Sequence, residues 1–583
     1  MCGILVIYSK KRKLEKKKCY AATSSISNRG PDKLLSSFLN NKKLFIFNSV
    51  LSITGSIKNQ KKIYSSKNQR YKLSFNGEIF NYKILQKKYL NDTKSYSNDS
   101  DVLINLFQSF KKKIEISKKI NGMFSYVVFD NLKNKLIFSS DIQGEKRLYK
   151  YNDDDYFILS STIKSILDFI KKKELNKEVI RNYFCTRHLL FKKNTIYKNI
   201  SIVEPGQYSE YLIDKDHIKT KIFENPINWI NKEKYKKFNS MSEKDLVDFF
   251  HNIFLKQLNL MIPKVKFASI CSGGIDSSLQ TAMINSLKQN FIVGSLHHHK
   301  KDKITENLSG FEKKLKKKIH ILNASVKKNK RIVSKCTKDI AIPYLTHDFL
   351  GRYQISNFFK RKNCKVFFVG DGADELFGGY ELYRKIEWTS FKNNNLSPYS
   401  SFISKKYVVQ KFDDLENRMN NFYSKVSKKY NFLKKKERNL QSSLFTDYFF
   451  SALSVYNIGN DLVCCNHAIE PRNVFIQKEI LKNIVNLPAR YKINRNNHKL
   501  FQLKPLLKKI FLKYYSKDLI FKKQGFSGYP NELKPILKDK KFQTIENLNI
   551  LKKIKFKNNN KLEWKLINLQ IFIENFIKKN VFF

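Results

Sequence analysis

The 583-residue sequence predicts a chain of mixed α+β and α/β class, divided into two units. Three observations predict it. The length exceeds the ~250–300 residues at which a single hydrophobic core stops growing. Residues 1–220 are dominated by short β-branched and aromatic runs with turns between them, whereas from Val265 onward strand-like and helix-like segments alternate, as a parallel sheet requires. A composition of 42% hydrophobic and 14% aromatic residues supplies enough apolar surface for more than one packed core.

The elements follow in order. The chain opens MCGILVIYSK, in which Ile4, Leu5, Val6, Ile7 and Tyr8 read as a buried strand. A secretory leader is not expected, because the run is short, nothing basic precedes it, and Lys10, Lys11 and Arg12 follow it. Residues 44–47, 71–75, 124–129 and 136–138 repeat the strand pattern, with few helices expected among them. The stretch 224–240 is polar with little periodicity and reads as a linker. That puts the first domain at 2–220, the connection at 221–241 and the second domain at 242–583. Ser242, with an acid three residues on, starts a helix carrying Leu246, Phe249, Phe250, Ile253, Phe254 and Leu258 at helical spacing. Pro263 precedes a strand at 265–271, further strands lie at 291–294 and 366–369, and the last third is helical in pattern.

Composition narrows the function class. With 112 Lys+Arg against 50 Asp+Glu, the formal charge is +62, which raises nucleic-acid binding as a possibility. The lysine runs at 16–18, 111–113, 171–173, 316–318 and 434–436 are scattered through the chain and form no single stripe. Lys, Asn, Ile and Phe are enriched together, a bias that AT-rich coding sequence produces. A solvated basic surface is therefore expected, and specific nucleic-acid binding is not. The eight cysteines show no CxxC spacing, so neither zinc nor a disulfide framework is expected, and a reduced cytoplasmic setting fits. No apolar run reaches the ~18–20 residues of a membrane span.

Two loops carry chemistry. Strand 265–271 runs into Ser272, Gly273, Gly274, Ile275, Asp276, Ser277 and Ser278, followed by a helix. A glycine- and serine-rich loop at a helix N-terminus presents N–H groups and hydroxyls to an anion. The lysine of the common nucleoside-triphosphate loop is missing. After the strand ending in Val369 comes GDGADELFGGY, where Gly370 leads into Asp371, Asp374 and Glu375. Acids at the carboxyl end of a strand suit a magnesium ion held against phosphates, although a solvated turn has the same composition.

SGGIDSS resembles the pyrophosphate loop of the ATP pyrophosphatases, in which ATP is cleaved to AMP. In that family Ile270 and Val293 would flank the adenosine. Three further stretches, NRGPD at 28–32, NGEIFN at 76–81 and NDSD at 98–101, join the initial CGI. With SGGIDSS, GDGADELFGGY, IEPRNVF at 469–475 and KKQGF at 522–526, the chain resembles the glutamine-hydrolysing asparagine synthetase B family over nearly its whole length and in the same order.

The resemblance implies an N-terminal-nucleophile αββα sandwich followed by a Rossmann-like ATP-pyrophosphatase domain with a helical C-terminal part. It implies that Cys2, freed of Met1, is a nucleophile whose own α-amine acts as base. It implies an oxyanion hole from Asn76 and Gly77, with Glu78 and Asp99 binding glutamine, Asp99 on its ammonium. Arg29 and Asp32 would support the nucleophile. ATP would be held by Ile270, Ser272, Gly273, Gly274, Asp276, Ser277, Ser278, Val293, Val369 and Gly370, with Mg²⁺ on Asp276 and Asp374. Lys504 would face the α-phosphate. Glutamine, aspartate and ATP are the implied partners, and a homodimer is one implied assembly.

The match departs in three places. Val50 stands before Leu51-Ser52-Ile53 where the family has an arginine that holds the glutamine carboxylate, so weak glutamine binding is expected unless Arg70 or Lys72 reaches it. Ser140 and Arg147 replace an arginine and a proline in the stretch 140–149. The acid expected before Pro343 is missing, with Asp339 and Asp348 as substitutes. The alternatives are therefore an amidotransferase acting on another carboxylate, such as a saccharide acid or peptide, or an ammonia-dependent or degenerate homologue.

Overall fold

In the computed structural model, the described residues are 2–576 without 58–59, 61, 91–95, 186–192, 298–302, 324–329, 344–347, 382, 387–412, 497 and 522–559.

The first unit is built on twelve strands among the described residues: β1 (Gly3–Ser9), β2 (Lys33–Leu39), β3 (Leu44–Val50), β4 (Tyr64–Ser65), β5 (Tyr71–Ile79), β6 (Gly122–Asp130), β7 (Lys135–Ser140), β8 (Tyr149–Asn152), β9 (Tyr156–Ser160), β10 (Ile200–Ile202), β11 (Gln207–Leu212) and β12 (His217–Ile222). They form two antiparallel sheets in the orders β10-β8-β9-β1-β3-β2 and β12-β11-β7-β6-β5-β4. The run Ile4 to Tyr8 is continuously apolar because β1 is buried on both faces. Leu5 and Ile7 meet the helices Lys16–Ser27 and Ile163–Phe169, while Ile4, Val6 and Tyr8 face Leu73, Phe75 and Phe124 of the other sheet. Helix Asp99–Ser109 packs on the far side of the second sheet, with Phe107 against the Tyr71 and Tyr126 rings. The layers are α, β, β, α.

The expectation of few helices in this unit is corrected: Lys16–Ser27, Tyr82–Tyr89, Asp99–Ser109, Ile114–Lys119, Ile163–Phe169 and Lys177–Cys185 are helical. These helices are short. Lys16–Ser27 buries only Cys19, Ala22, Thr23 and Ile26, a narrow stripe among polar residues. The polar connection also carries structure. Residues 221–222 complete β12, and helix Lys232–Ser240 follows, capped by Asn231 and burying Tyr235 and Phe238.

The second unit opens on helix Glu243–Met261, whose N-terminus is capped by Ser242 Oγ accepting from Asp245 N at 3.1 Å. Its sheet is parallel: β13 (Phe267–Ile270), β14 (Ile292–His297), β15 (Ile319–Asn323), β16 (Val366–Phe368) and β17 (Glu470–Arg472) lie in the order β15-β14-β13-β16-β17. The order reverses at β13, so the loops leaving β13 and β16 are neighbours at the carboxyl edge, where α/β sheets bind ligands. Strand β17 ends at Arg472, and that edge faces the first unit.

Candidate active site

Cys2 is buried at the mouth of the sandwich, directly before β1. Its main-chain nitrogen donates to Asn76 Oδ1 at 3.1 Å. Asn76 lies on β5, held across the sandwich where Asn48 Nδ2 donates to both Gly3 O and Phe75 O at 2.9 and 3.0 Å. The other end of the Asn76 amide, Nδ2, is buried with no hydrogen-bond partner among the described residues. A buried donor of this kind carries a desolvation penalty unless a ligand satisfies it. Gly77 has φ +142°, and a Cβ there would stand 2.0 Å from Met123 O, so only glycine keeps β5 paired with β6 at this point. Burial raises the Cys2 thiol pKa above its ordinary value.

Asp99 is buried in the first turn of its helix, with Oδ2 accepting from Ile79 N at 3.1 Å. Burial, and then the Glu78 charge, push its pKa up to about 8. Glu78 accepts from Thr54 Oγ1 at 2.6 Å and is ion-paired to Arg472 at the end of β17. The residue implied as a glutamine ligand is thus also a bond between the two units. Arg29 is fully buried, its Nε donating to Cys2 O at 3.2 Å. Asp32 accepts from Ser52 N at 2.8 Å and pairs with Lys365 of the second unit at 2.6 Å.

Val50 is buried in the same apolar cluster as Cys2. Neither cation offered in its place is turned to that role. Arg70 grips Asp130 through two 2.8 Å bonds, and Lys72 Nζ donates to Ser65 and Gln69 at 3.0 and 2.8 Å.

In the second unit, the β13 loop and the β16 loop meet closely enough that a Cβ on Gly370 would stand 3.0 Å from Ser277 N. Gly273 has φ +78°, which turns the chain into helix Ile275–Ser286. Ser272 and Ser277 hydroxyls bond each other at 2.8 Å, and Ser272 Oγ also accepts from Gly274 N at 3.3 Å. Ser278 Oγ, fully buried, takes the Cys271 thiol. Of the residues implied around adenosine, the Val293 side chain is buried in an apolar cluster and Ile270 is half-buried, and Val369, implied for ATP, is buried in a second cluster.

The three acids of the β16 loop go to three places. Asp374 and Asp276 converge on the Lys504 ammonium, whose Nζ is 2.7 Å from Asp276 Oδ1. Burial alone would depress that lysine, but the two carboxylates outweigh it and hold its pKa above the ordinary value. Glu375 accepts the Tyr380 and Tyr456 hydroxyls at 2.8 and 3.1 Å. Asp371 is held bidentately by Arg352 at 2.8 and 3.1 Å and accepts from Asn460 Nδ2 at 3.0 Å. Two carboxylates directed at one cation are an oxygen donor set of the kind a hard divalent ion takes. Among the described residues there is no cluster of three or more His, Cys, Asp or Glu able to hold a metal.

Asp339 accepts from Tyr353 Oη at 3.0 Å, and burial raises its pKa. The side chain of Asp348, and the motif at 522–526, lie outside the described residues. Sequence reasoning missed Arg352, Asn460, Asp461 and Lys146, and assigned no role to Glu470 or Arg472. Only the last two carried a signal, the IEPRNVF stretch. Glu470 is fully buried between Lys146 at 3.5 Å and Arg472 at 3.0 Å, and these cations overcome burial to hold its pKa down at about 2. A polar cavity lies there between the units, lined among others by Glu145, Lys146, Asn460, Asp461, Arg472 and Asn473.

A sequence profile of the glutamine amidotransferase domain matches residues 1–224, and one of asparagine synthase matches residues 259–557. A Methanocaldococcus jannaschii protein named as a glutamine-hydrolysing asparagine synthetase is 26% identical over 315 residues, covering 52% of this chain and 58% of its own. The glutamine-hydrolysing asparagine synthetase 1 of Bacillus subtilis is 25% identical over 337 residues, covering 55% and 49%. That of Gallus gallus is 23% identical over 406 residues, covering 66% and 68%. The chain thus spans about half the length of the microbial relatives it matches. Among the described residues, no helix is long and apolar enough to cross a membrane.

Proposed function

Because the chain belongs to the asparagine synthase family and carries a glutamine amidotransferase domain before that region, we propose that it is an amide-forming ligase that draws ammonia from glutamine and transfers it to a carboxylate activated by ATP, aspartate being the acceptor.

With Met1 removed, the nitrogen that donates to Asn76 Oδ1 becomes a free α-amine on the same residue as the thiol. Such an amine titrates near ~7.7–8.0 and takes the thiol proton. The thiolate attacks the glutamine amide carbon, and the oxygen gains negative charge. Asn76 Nδ2 and Gly77 N–H are the donors offered to it. Collapse breaks the C–N bond, the amine returns its proton to the departing nitrogen, and ammonia leaves a thioester that water then hydrolyses. Asp99 takes the substrate ammonium. Ammonia passes from Cys2 to the acidic loop across the boundary between the units, where a small polar cavity is lined in part by Lys146 and Arg472.

At the second site the loop 272–278 and helix Ile275–Ser286 receive phosphate oxygens, while the acceptor carboxylate attacks the α-phosphorus and pyrophosphate leaves. Ammonia then displaces AMP from the acyl carbon. A divalent cation on Asp276 and Asp374 would neutralise phosphate charge there. Lys504, now held by those same two carboxylates, supplies a fixed positive charge beside them.

The observation that carries this reading is the paired geometry at Cys2: its nitrogen on Asn76 Oδ1, with the opposite end of that amide buried and unpaired. The test incubates the protein with ATP, Mg²⁺, glutamine and a panel of carboxylates including aspartate, and identifies products by mass spectrometry. Asparagine, AMP and pyrophosphate are expected. Cys2→Ala should abolish the glutamine-dependent reaction and retain the ammonium-dependent one. Formation of ADP and phosphate would refute the loop assignment, and an amide of another acid would replace aspartate as the acceptor.

A further inference from the structure

A π-helical turn, Gly459–Cys464, links the two sites. Such turns are rare and frequently lie at functional sites. Here two adjacent residues are aimed at different sites. Asn460 reaches the acidic loop, bonding Asp371 and Arg352. Asp461, buried, reaches the first unit. Its Oδ1 lies 2.6 Å from Arg29 Nη2, its main-chain oxygen accepts from Arg29 Nη1 at 3.3 Å, and its Oδ2 accepts from Arg147 N at 3.1 Å. Both members of the Arg29–Asp461 pair are fully excluded from solvent. The third guanidinium nitrogen, Nε, donates to Cys2 O.

The residue that carries the thiol is therefore held at two points. Its nitrogen is held by Asn76 from within the first unit, and its carbonyl by Arg29, which is itself oriented by a carboxylate of the second unit. A guanidinium offers donors in a fixed planar fork, so orienting one edge orients the other. We propose that Asp461 is a positioning residue for glutamine hydrolysis: from the second unit it aims Arg29, and Arg29 holds the main chain of Cys2 in register with the Asn76 amide. The proposal rests on the reading of Cys2 as the glutaminase nucleophile.

The clamp acts on the Cys2 main chain and includes neither Glu78 nor Asp99, the residues assigned to glutamine binding, so its loss acts on kcat and leaves KM in place. The experiment compares full-length wild type, Asp461→Asn, Arg29→Lys and the double variant. Arg29→Lys keeps a cation beside Asp461 but lacks the fork that spans to Cys2, so it serves if Asp461→Asn fails to fold. Each single variant should lower the kcat of glutamine hydrolysis by about tenfold or more, with glutamine KM and ammonium-dependent amide formation within about twofold of wild type. The double variant should be no worse than the poorer single variant, because the two residues act as one unit. Iodoacetamide labelling of Cys2, followed by peptide mass spectrometry, should accelerate about fivefold as the clamp opens and exposes the thiol. A kcat within about threefold of wild type, or losses that multiply in the double variant, would overturn the proposal. If wild type hydrolyses no glutamine, the glutaminase reading fails, and the labelling arm alone decides the clamp: unchanged labelling overturns it.

Discussion

Truncating Asn76 to alanine should separate stability from activity. The wild-type amide makes one bond, Oδ1 to the Cys2 nitrogen at 3.1 Å, and leaves Nδ2 buried without a partner among the described residues. Truncation leaves the buried Cys2 nitrogen without this acceptor, a penalty of about 1–3 kcal/mol, and removes the unpaired amide donor, a relief of about 1–3 kcal/mol. Lost packing of the small amide adds a penalty of about 0.5–1.5 kcal/mol, as for other small core truncations. These contributions nearly cancel, so Asn76→Ala should lie within about 2 kcal/mol of wild type in stability. On a domain of this size that moves the melting point by only a few degrees, at about 2–4 °C per kcal/mol. Catalysis should behave differently. Removing one oxyanion donor costs about 2.7–4 kcal/mol in the transition state, or about 10²–10³ in kcat. The assay pairs ammonia release from glutamine, followed by a coupled dehydrogenase, with differential scanning fluorimetry. The reasoning is refuted by a kcat loss below about tenfold, or by a stability loss above about 4 kcal/mol, which would make Asn76 a structural residue.

Four further outcomes are expected. The Asp99 carboxyl, pushed up to about 8 by burial and Glu78, is mostly protonated at neutral pH and must lose that proton to meet a substrate ammonium. Glutamine KM should therefore fall about tenfold per unit as pH rises toward 8 and then level off, while Asp99→Asn should give a high, pH-independent KM; a flat wild-type KM in steady-state kinetics would remove Asp99 from that role. In stability the sign is the reverse, since a raised carboxyl pKa means the folded state binds the extra proton. Thermal melts should show stability declining from about pH 4 to pH 8, with a shallower decline in Asp99→Asn. Gly77→Ala forces a Cβ to 2.0 Å from Met123 O at φ +142°, so it should break the β5–β6 register and lower the melting point of the first unit more than any Asn76 variant. Arg472→Met leaves Glu78 and Glu470 buried without that cation, a loss of about 3–5 kcal/mol by denaturant titration, and Glu78→Gln added to it should recover part of the deficit.

The sequence alone determined the buried first strand and the places of two loops at strand ends, one rich in glycine and serine and one acidic, because these depend on residues close together along the chain. The alternation of Leu5 and Ile7 with Ile4, Val6 and Tyr8 already contains both faces of β1. Cys2 and Asn76 were legible through a family resemblance, and their direct contact is a matter of strands β1 and β5 facing each other. The short helices of the first unit were obscured, since Lys16–Ser27 shows only a thin apolar stripe in a lysine-rich background. Tertiary structure alone decided how the two sites are joined. Arg29 and Asp461 are 432 positions apart, and Glu78 and Arg472 are 394 apart. Nothing local marks such pairs, because a carboxylate and a guanidinium pay their desolvation only when the fold buries them together. In a chain with 112 basic residues, the few that are buried and paired look the same in sequence as the many that are solvated. Resemblance to the family singled out Arg29 and Lys504, but only packing shows that these two and Arg472 are buried and paired.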